Sequence, residues 1–287
     1  MRPLPTWVNL ACFVATVIST MLAGALMTRS VPLSPALLLA LARRPAAWID
    51  GLPYAAGALF ILGAHEMGHY IACRLYRIDA SLPFFLPGPN LFGTFGAVIR
   101  IRAPFTTRKA LFDVGVAGPI AGFVAAIPVL LYGLAHSSIT SEPPHAGDIG
   151  LTPCLLLDWL YPLFFTVGPE TSVRLHPAFA AAWLGLFATS LNLLPVGQLD
   201  GGHMLYAVSP RAHRIVSRAG IVTMCALGLL VGGYHLVLFG VLFAIIGIRH
   251  PGPLDDVTPL GRGRLLVALL GLLIFILCFI PVTPQVF

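Results

Sequence analysis

Charged residues are unusually scarce in this chain. Asp, Glu, Lys and Arg make up 10% of its 287 residues, against roughly 25% in a typical soluble domain. Hydrophobic residues reach 57%, and the mean hydropathy is +0.90. This composition excludes an ordinary soluble domain and indicates a protein that crosses a membrane several times. The formal net charge of +6 does not point to nucleic acid, because most Lys and Arg flank apolar runs.

Cysteine is also scarce and forms no pattern. The chain has 5 cysteines, an odd number, scattered through mostly apolar stretches. This distribution excludes a disulfide framework and a thiolate metal cluster, so we interpret these residues as small buried hydrophobic side chains. Internal repeats and low-complexity tracts are absent from the sequence as well.

Long uncharged runs alternate with shorter charged loops. The candidate membrane spans are Trp7–Met27, Leu52–Tyr76, Val114–Ala135, Pro177–Val196, Ala219–Ile248 and Leu265–Val282. The fifth run has 30 residues and a break at Gly232-Gly233, so it is one long span, two short spans or a re-entrant hairpin. The sequence therefore predicts an all-α polytopic membrane protein with six to seven transmembrane helices.

Positive charge favours seven crossings. With two spans in the fifth run, thirteen Lys and Arg fall on one side of the membrane and four on the other. With a single span there, the split is ten against seven. Because Lys and Arg accumulate on the cytoplasmic side, the stronger bias places the N-terminus in the cytoplasm. We expect a multi-pass protein of a prokaryotic cell membrane.

The first apolar run has two interpretations. Its 21 residues are long for the core of a signal peptide and long enough to span a bilayer, although Ala23-Gly24-Ala25 resembles a cleavage site. No Ser- and Arg-rich segment precedes it, which argues against import into an organelle. We expect a single membrane-embedded domain over residues 1–287, with a core at 51–210, an extra N-terminal helix at 6–28 and C-terminal helices within 214–282.

A metal-binding pattern lies inside the second apolar run. Residues 65–69 read His-Glu-Met-Gly-His, an H-E-x-x-H motif. On a helix, His65 and His69 lie about 40° apart on one face and could share one metal ion. Glu66 would then stand beside the metal as a general base. The composition predicts roughly 0.003 chance matches to this motif, and a glutamate inside a membrane span is itself a functional signal.

A candidate for the third ligand lies far along the chain. Asp200 follows an apolar run that Pro195 interrupts, and no Lys or Arg lies nearby to neutralise it. Gly201 and Gly202 would let the backbone approach a metal site closely. An Asp turn at a helix end explains the same residues without a metal. In the seven-crossing topology, however, the spans that carry His69 and Asp200 run in the same direction, so both sites reach the same depth.

The loop after the H-E-x-x-H motif cannot be one helix. Between Ile78 and Phe112 it is strongly apolar in part, and Pro83, Pro87 and Pro89 exclude a continuous helix. Residues 93–102 look like a strand, with Arg and Ile alternating at its end. Non-helical apolar backbone at a membrane persists only where it packs in protein or faces a cavity. We expect a small membrane-associated β-hairpin directly after the motif-bearing helix.

Two motifs in this order resemble a known family. The site-2 protease family of intramembrane zinc metalloproteases pairs H-E-x-x-H with a later N-x-x-P-x-x-x-L-D-G-G. This chain fills every fixed position of the second motif, with Asn192, Pro195, Leu199, Asp200, Gly201 and Gly202. Ala117-Gly118-Pro119 is similar to the family's G-P segment, and Phe92–Ile101 with Leu111–Asp113 is similar to cyanobacterial and chloroplast members. The resemblance covers about residues 56–203, with no room for a PDZ domain and no obvious CBS domain.

The resemblance implies an activity and a role for each residue. His65, His69 and Asp200 would bind one Zn²⁺ per chain, and Glu66 would be the catalytic base. The substrates would be transmembrane proteins within the lipid bilayer, cut inside or near a membrane helix, with no nucleic acid involved. Asn192 would contact the substrate carbonyl, unless it only satisfies backbone groups at a helix end. The oligomeric state stays open.

The predicted hairpin would bind an unwound substrate. A transmembrane helix must unwind before its peptide bonds become accessible, and an edge strand can pair with the unwound segment by β-augmentation. The residues expected to contact substrate are Thr94, Phe95, Gly96, Ala97 and Val98. A packing loop without substrate contact is the alternative.

Two other kinds of protein compete with this interpretation. A membrane zinc protease of the prenyl-protein type would need a different third ligand and a downstream Glu or His motif, and the other glutamates are only Glu142 and Glu170. A metal transporter or a metal-dependent membrane sensor would show a repeat and several ionisable groups along a path. In this sequence the intramembrane ionisable groups concentrate at one site instead.

Overall fold

The computed structural model describes residues 6–27, 45–141, 151–166, 171–231, 233–247 and 250–279. Helices dominate these residues, and two small antiparallel hairpins interrupt them. A helix-rich fold and a hairpin directly after the motif-bearing helix are therefore confirmed. The second hairpin was not expected, because its two strands have three residues each and lie in a segment that the sequence marks only as a loop.

The elements follow one another in this order. The N-terminal part contains α1 (Thr6–Met27), a short 3₁₀ helix (Pro45–Gly51), α2 (Leu52–Leu75), β1 (Phe84–Pro87) and β2 (Thr94–Val98). The middle contains α3 (Arg108–Ala135), β3 (Ser138–Thr140), α4 (Leu155–Phe164), β4 (Ser172–Arg174) and α5 (Pro177–Asn192). The C-terminal part contains α6 (Asp200–Val208), α7 (Pro210–Leu230), α8 (Tyr234–Gly247) and α9 (Arg262–Cys278).

Three of the described helices are long and apolar enough to cross a membrane, namely α1, α3 and α7. The helix α7 begins before the expected residue 214, because the Ser209 side chain caps it by accepting a hydrogen bond from the N–H of Ala212 at 3.2 Å. The long apolar run is broken between Leu230 and Tyr234, close to the expected Gly232-Gly233, although Gly232 lies outside the described residues. Six to seven crossings stay a prediction.

The helices α2, α3 and α5 form the centre of the fold. Side chains between them are fully buried, for example Ile61, Leu130 and Leu186. Gly185 lets α5 approach α2 closely, since a Cβ at this position would lie 2.6 Å from Cγ2 of Ile61. Close packing at small residues is a main source of attraction between helices in a membrane. This packing places the motif-bearing face of α2 between α3 and α5.

The first hairpin lies against α1 through β1 and leaves one edge of β2 free of other strands. Its antiparallel register pairs Phe85 with Ala97. The hydroxyl of Ser19 on α1 donates a hydrogen bond of 2.6 Å to the carbonyl oxygen of Gly93. Gly93 has φ of 73°, and a Cβ there would lie 2.4 Å from the carbonyl oxygen of Ser19, so this contact requires glycine. Among the described strands, β1 alone pairs with β2.

The helix α5 ends earlier than the sequence predicted. The expected span reached Val196, but the helix ends at Asn192, because Pro195 lacks an N–H and disfavours a helical conformation at the residue before it. A tight turn follows, and Asp200 is the first residue of α6. Asp200 therefore stands where a turn leads into a helix, and its role as a metal ligand stays a prediction.

The segment 250–261, the C-terminal connector, joins α8 to α9 and returns to the middle of the fold. The N–H of Leu254 donates to the carbonyl oxygen of Phe105 at 3.0 Å, and the N–H of Asp255 donates to that of Thr106 at 2.9 Å. The connector therefore covers the loop that leads from the first hairpin into α3.

Candidate metal centre

Three side chains that could bind one metal ion meet between α2 and α6. The Oδ2 atom of Asp200 lies 3.2 Å from Nε2 of His65 and 3.3 Å from Nε2 of His69. The two Nε2 atoms are 3.1 Å apart. Both imidazoles are buried, and 15% of the Asp200 side chain is exposed. The structure thus brings together the three candidate ligands, although His65 and Asp200 are 135 positions apart in the chain.

A backbone carbonyl of α3 orients one of the two imidazoles. Nδ1 of His69 lies 2.7 Å from the carbonyl oxygen of Val114. Because a carbonyl oxygen only accepts hydrogen bonds, Nδ1 carries the proton and donates it. In the neutral imidazole Nε2 then keeps its lone pair, and this atom faces His65 and Asp200. A hydrogen bond of this kind fixes the tautomer and the ring orientation of metal-binding histidines.

Two glycines of α3 make room for both imidazoles. A Cβ at Gly118 would lie 2.1 Å from Nε2 of His69, and a Cβ at Gly122 would lie 3.0 Å from Nδ1 of His65. Residue 118 must therefore be glycine for the His69 ring to lie against the backbone of α3. This contact explains why the segment Ala117-Gly118-Pro119 has glycine at its second position.

The turn between α5 and α6 sets the position of Asp200. Gly197 lies in this turn with φ of 57°, a conformation that favours glycine. Its carbonyl oxygen accepts a hydrogen bond of 2.8 Å from Nε2 of the fully buried His213, and its N–H donates to the hydroxyl of Ser217 at 3.1 Å. A Cβ at Gly202 would lie 2.4 Å from the same carbonyl oxygen, so α6 starts directly on the turn. These contacts present Asp200 to the two histidines.

A cavity of about 270 Å³ opens beside His65, one of the three candidate ligands. Residues of α2, β2 and α5 line it, among them His65, Glu66 and Asn192. Glu66 is buried, with 8% of its surface exposed. It follows His65 directly on α2 and lines the same cavity, so its carboxylate is available to a molecule bound there.

The structure places most of the predicted substrate contacts at this cavity. Four residues of β2 line it, namely Phe95, Gly96, Ala97 and Val98. The side-chain amide of Asn192, the last residue of α5, lies 3.3 Å from Nε2 of His65. Thr94 is the exception, because its side chain is buried inside the hairpin and donates a hydrogen bond of 2.8 Å to the carbonyl oxygen of Leu86.

The donor atoms at the centre indicate the metals that it could hold. Two imidazole nitrogens and one carboxylate oxygen suit a divalent transition metal, and three protein ligands leave a position open for chemistry. Calcium and magnesium prefer sites built from oxygen ligands. Within the described part of the chain, the group of candidate ligands contains no thiolate. The residues present therefore fit a catalytic metal such as zinc.

Comparison with known families agrees with this geometry. The profile of peptidase family M50 matches residues 53–231, more than half of the chain. The chain belongs to peptidase family M50, the site-2 protease family. The matched range of this M50 chain contains both motifs and the three candidate ligands, whereas α1, the C-terminal connector and α9 lie outside it.

This M50 chain is similar to curated proteins of plant chloroplasts. It is 33% identical over 244 residues to "Probable zinc metalloprotease EGY1, chloroplastic" of Arabidopsis thaliana, which covers 82% of this chain and 43% of that protein. It is 34% identical over 170 residues to "Probable zinc metalloprotease EGY2, chloroplastic" of the same plant. This match covers 55% of this chain and 29% of that protein. It is 29% identical over 264 residues to "Probable zinc metalloprotease EGY3, chloroplastic" of Oryza sativa subsp. indica. This match covers 82% of this chain and 42% of that protein. The chain thus spans less than half the length of these relatives.

Several contacts at the centre were not predicted from the sequence. The contact of His69 with the carbonyl oxygen of Val114 has no sequence signal, because every residue carries the same backbone carbonyl. His203 lies three residues after Asp200 on α6. In the structure its Nδ1 lies 2.5 Å from Nε2 of His250 in the C-terminal connector. His203 therefore contacts the connector and is not part of the group of three candidate ligands.

Proposed function

We propose that this chain is an intramembrane zinc metalloprotease that hydrolyses peptide bonds within or near transmembrane helices of membrane proteins. The observation that carries this proposal is the meeting of His65, His69 and Asp200, together with a cavity that His65 and Glu66 line. Membership of peptidase family M50 supports it. The relatives' names, which describe them as probable zinc metalloproteases, support it as well.

Each residue of the centre has a role in the proposed reaction. His65, His69 and Asp200 hold one Zn²⁺ per chain, which when bound supplies Lewis-acid polarisation of the scissile carbonyl. Glu66 accepts a proton from the attacking water and delivers it to the leaving nitrogen. The amide of Asn192, which lies beside His65, donates a hydrogen bond to the substrate carbonyl oxygen.

The substrate enters as an extended segment. Peptide bonds inside a helix are shielded by side chains and by internal hydrogen bonds, so the substrate helix must unwind before hydrolysis. The strand β2 lines the cavity and is paired on one side by β1, which leaves its other edge to pair with the unwound segment. The residues Phe95 to Val98 contact the substrate along this edge.

The chain is a single membrane-embedded domain with seven crossings, or six and a re-entrant hairpin, and a cytoplasmic N-terminus. The uneven distribution of Lys and Arg supports this arrangement, and so does the division of the long apolar run into α7 and α8. We assign the protein to a prokaryotic cell membrane, whereas the relatives are named as chloroplast proteins. Cysteines introduced at the exposed Arg74 and Ile139 should react with impermeant reagents from opposite sides, and same-side labelling would overturn the topology.

The proposed activity can be tested with purified protein in liposomes that contain a panel of single-span substrates. The wild-type protein should cut within or near the membrane helix, and Glu66→Gln should cut about 10²- to 10⁴-fold more slowly. The variant should keep the metal, because residue 66 is not a ligand. Normal cleavage by Glu66→Gln would refute the mechanism. Zinc passage across the liposome without any cleavage would instead favour a transporter.

A further inference from the structure

The cavity beside His65 has a polar end and an apolar end. Its polar end is lined by His65, Glu66 and Asn192. Thr189 lines the cavity too, but its hydroxyl donates a hydrogen bond of 2.8 Å to the carbonyl oxygen of Gly185 in the same helix, so this polar group is already satisfied. The other residues that α2 and α5 contribute to the lining are apolar. We call the part of the cavity between them, lined by Ile61, Leu62, Gly185, Ala188 and Leu191, the apolar pocket.

The apolar pocket lies about one helical turn from the candidate metal centre. Ile61 precedes His65 by four residues on α2, and Ala188 precedes Asn192 by four residues on α5. Four residues of an α-helix rise about 6 Å, whereas an extended chain advances about 3.3 Å per residue. A side chain that enters the pocket from an extended substrate therefore belongs to a residue within about two positions of the scissile bond.

Two small residues of α5 leave this space open. Gly185 has no side chain, and the partly buried Ala188 contributes only a methyl group to the lining. The whole cavity measures about 270 Å³, and an apolar cavity of about 150 Å³ is large enough for a benzene molecule. The space thus exceeds what one attacking water needs. A polar side chain would lose its hydrogen bonds to water in the pocket without replacing them, whereas an apolar side chain would not.

We propose that the apolar pocket is a specificity pocket, which holds one large apolar side chain of the substrate next to the scissile bond, and that Ala188 sets its size. This inference rests on the proposed proteolytic function and names the substrate residue that the site prefers, namely Leu, Ile, Met or Phe. Burial of such a side chain is favourable in proportion to the apolar area that it removes from water. Among the peptide bonds of an unwound segment, the pocket therefore selects those that have a large apolar neighbour at the matching position.

A change of pocket size tests this proposal with pairs of substrates that carry Leu or Ala at one of the two positions on either side of the cut. At the matching position, the wild-type protein should cleave the Leu substrate with a kcat/KM at least about tenfold higher, because apolar pockets discriminate such differences about 10- to 200-fold. Ala188→Leu fills the pocket and should reduce this ratio to about threefold or less. Ala56→Leu is the matched control, since Ala56 is exposed on α2 and lies outside the cavity lining. An unchanged ratio in Ala188→Leu would overturn the proposal, and so would an equal reduction in Ala56→Leu.

Leu62→Ala changes the pocket in the opposite direction and keeps the test decisive if Ala188→Leu does not fold. Leu62 lines the pocket from the α2 side, so its truncation should enlarge the space. The ratio of kcat/KM between a Phe substrate and a Leu substrate should then rise at least about threefold over the wild-type value. A ratio that stays at the wild-type value would contradict the assignment of this space to a substrate side chain.

A binding measurement tests the pocket without proteolysis. Hydroxamates bind zinc through their oxygen atoms, so isocaproyl hydroxamate would place its branched apolar arm beside the metal centre, whereas acetohydroxamate has only a methyl group. In zinc-loaded protein, the isocaproyl compound should bind at least about tenfold more tightly. Ala188→Leu should remove this difference without changing the zinc content, and Ala56→Leu should keep it.

Equal affinities of the two hydroxamates for the wild-type protein would overturn the proposal and leave the pocket to another occupant, for example a lipid acyl chain. If the wild-type protein cleaves no substrate, the proposed function fails, yet the hydroxamate titration still decides whether the pocket binds a large apolar group beside the metal centre.

Discussion

His69 and Val114 are joined by a hydrogen bond of 2.7 Å between the imidazole Nδ1 and the backbone carbonyl oxygen. The bond links α2, which carries two of the candidate ligands, to α3, which carries none. The ring of His69 also lies against the backbone of Gly118 on the same helix. The orientation of one ligand therefore depends on how closely α2 and α3 approach each other, and changes in α3 should affect metal binding.

Gly118→Ala tests this dependence. The added Cβ would lie 2.1 Å from Nε2 of His69, so the ring must move away from the other ligands. Because loss of an orienting contact weakens metal sites about 10- to 100-fold, we expect zinc affinity to fall by at least tenfold in a competition titration. Gly122→Ala is the matched control, since its Cβ would meet His65 at a milder 3.0 Å and should cost less. If Gly118→Ala binds zinc as tightly as the wild-type protein, metal binding does not depend on the position of the His69 ring.

Asp113 connects three elements at one end of the bundle, and its replacement should destabilise the fold. Arg264 at the start of α9 donates hydrogen bonds of 2.8 and 2.7 Å to its carboxylate, and the hydroxyl of Tyr76 donates a third at 2.5 Å. Asp113→Asn should lower the free energy of unfolding by about 1–2 kcal/mol, because the groups are only partly buried. Denaturant unfolding in detergent measures this value.

The exposed ion pair of Asp79 with Arg102, 3.5 Å long, supplies the control for that measurement. Asp79→Asn removes a charge of the same kind and should change the free energy of unfolding by less than about 0.5 kcal/mol. Equal effects of the two variants would show that Asp113 does not hold α9 in place.

The C-terminal connector should loosen in acid. Burial and the neighbouring His203 lower the pKa of His250 to about 3, from about 6.5 in an unfolded chain. The folded connector therefore favours neutral His250, and its stability decreases as the pH falls from about 6.5 towards 3. In metal-free protein, the exchange protection of the Leu254 and Asp255 amides, corrected for intrinsic rates, should decrease over this range.

His250→Phe separates this effect from general acid unfolding. The Phe ring can keep the stacked contact with Tyr206, whose ring centre lies 4.4 Å from that of His250, but it cannot be protonated. Protection of the connector should then change little with pH between 6.5 and 3. The same decrease in His250→Phe as in the wild-type protein would assign the loosening to other groups, for example the neighbouring His203.

Crosslinking can show whether substrate lies along β2. Cysteines at Ala97 and Phe95 should form crosslinks to a substrate that carries a cysteine near its cleavage site, because both residues line the cavity. A cysteine at Leu82 is the control, since this residue is exposed but lies outside the cavity lining. Val98→Pro should impair cleavage while it leaves zinc binding intact, because proline removes a ladder donor of the hairpin. Absent crosslinks together with normal cleavage by Val98→Pro would make the hairpin a packing element only.

The parts of this structure that were predicted from sequence depend on strong local patterns. The H-E-x-x-H spacing fixes two side chains on one helix face, and the prolines after it exclude a helix where the first hairpin forms. The association of Asp200 with these histidines followed from a second motif and from the direction of the spans. These patterns can be recognised in the sequence without knowing how the helices pack against one another.

The contacts that were missed join backbone groups or residues far apart in the chain. The carbonyl of Val114 is the same backbone group as in any other residue, so its contact with His69 becomes visible only when α2 and α3 are placed together. The contact of His203 with His250 bridges 47 positions and depends on the path of the connector. The end of α5 at Asn192 was misplaced because its apolar composition continues to Val196 beyond the point where Pro195 stops the helix.

X-ray absorption spectroscopy of the purified, zinc-loaded protein tests the central claim most directly. The account predicts one zinc per chain, with two histidine nitrogens at about 2.0–2.1 Å and a carboxylate oxygen at about 2.0–2.2 Å. Asp200→Asn should lose most of the zinc, whereas Glu66→Gln should keep both the zinc and the two histidine signals. A sulfur scatterer, or an unchanged zinc content and spectrum in Asp200→Asn, would contradict the assignment of His65, His69 and Asp200 as the metal ligands.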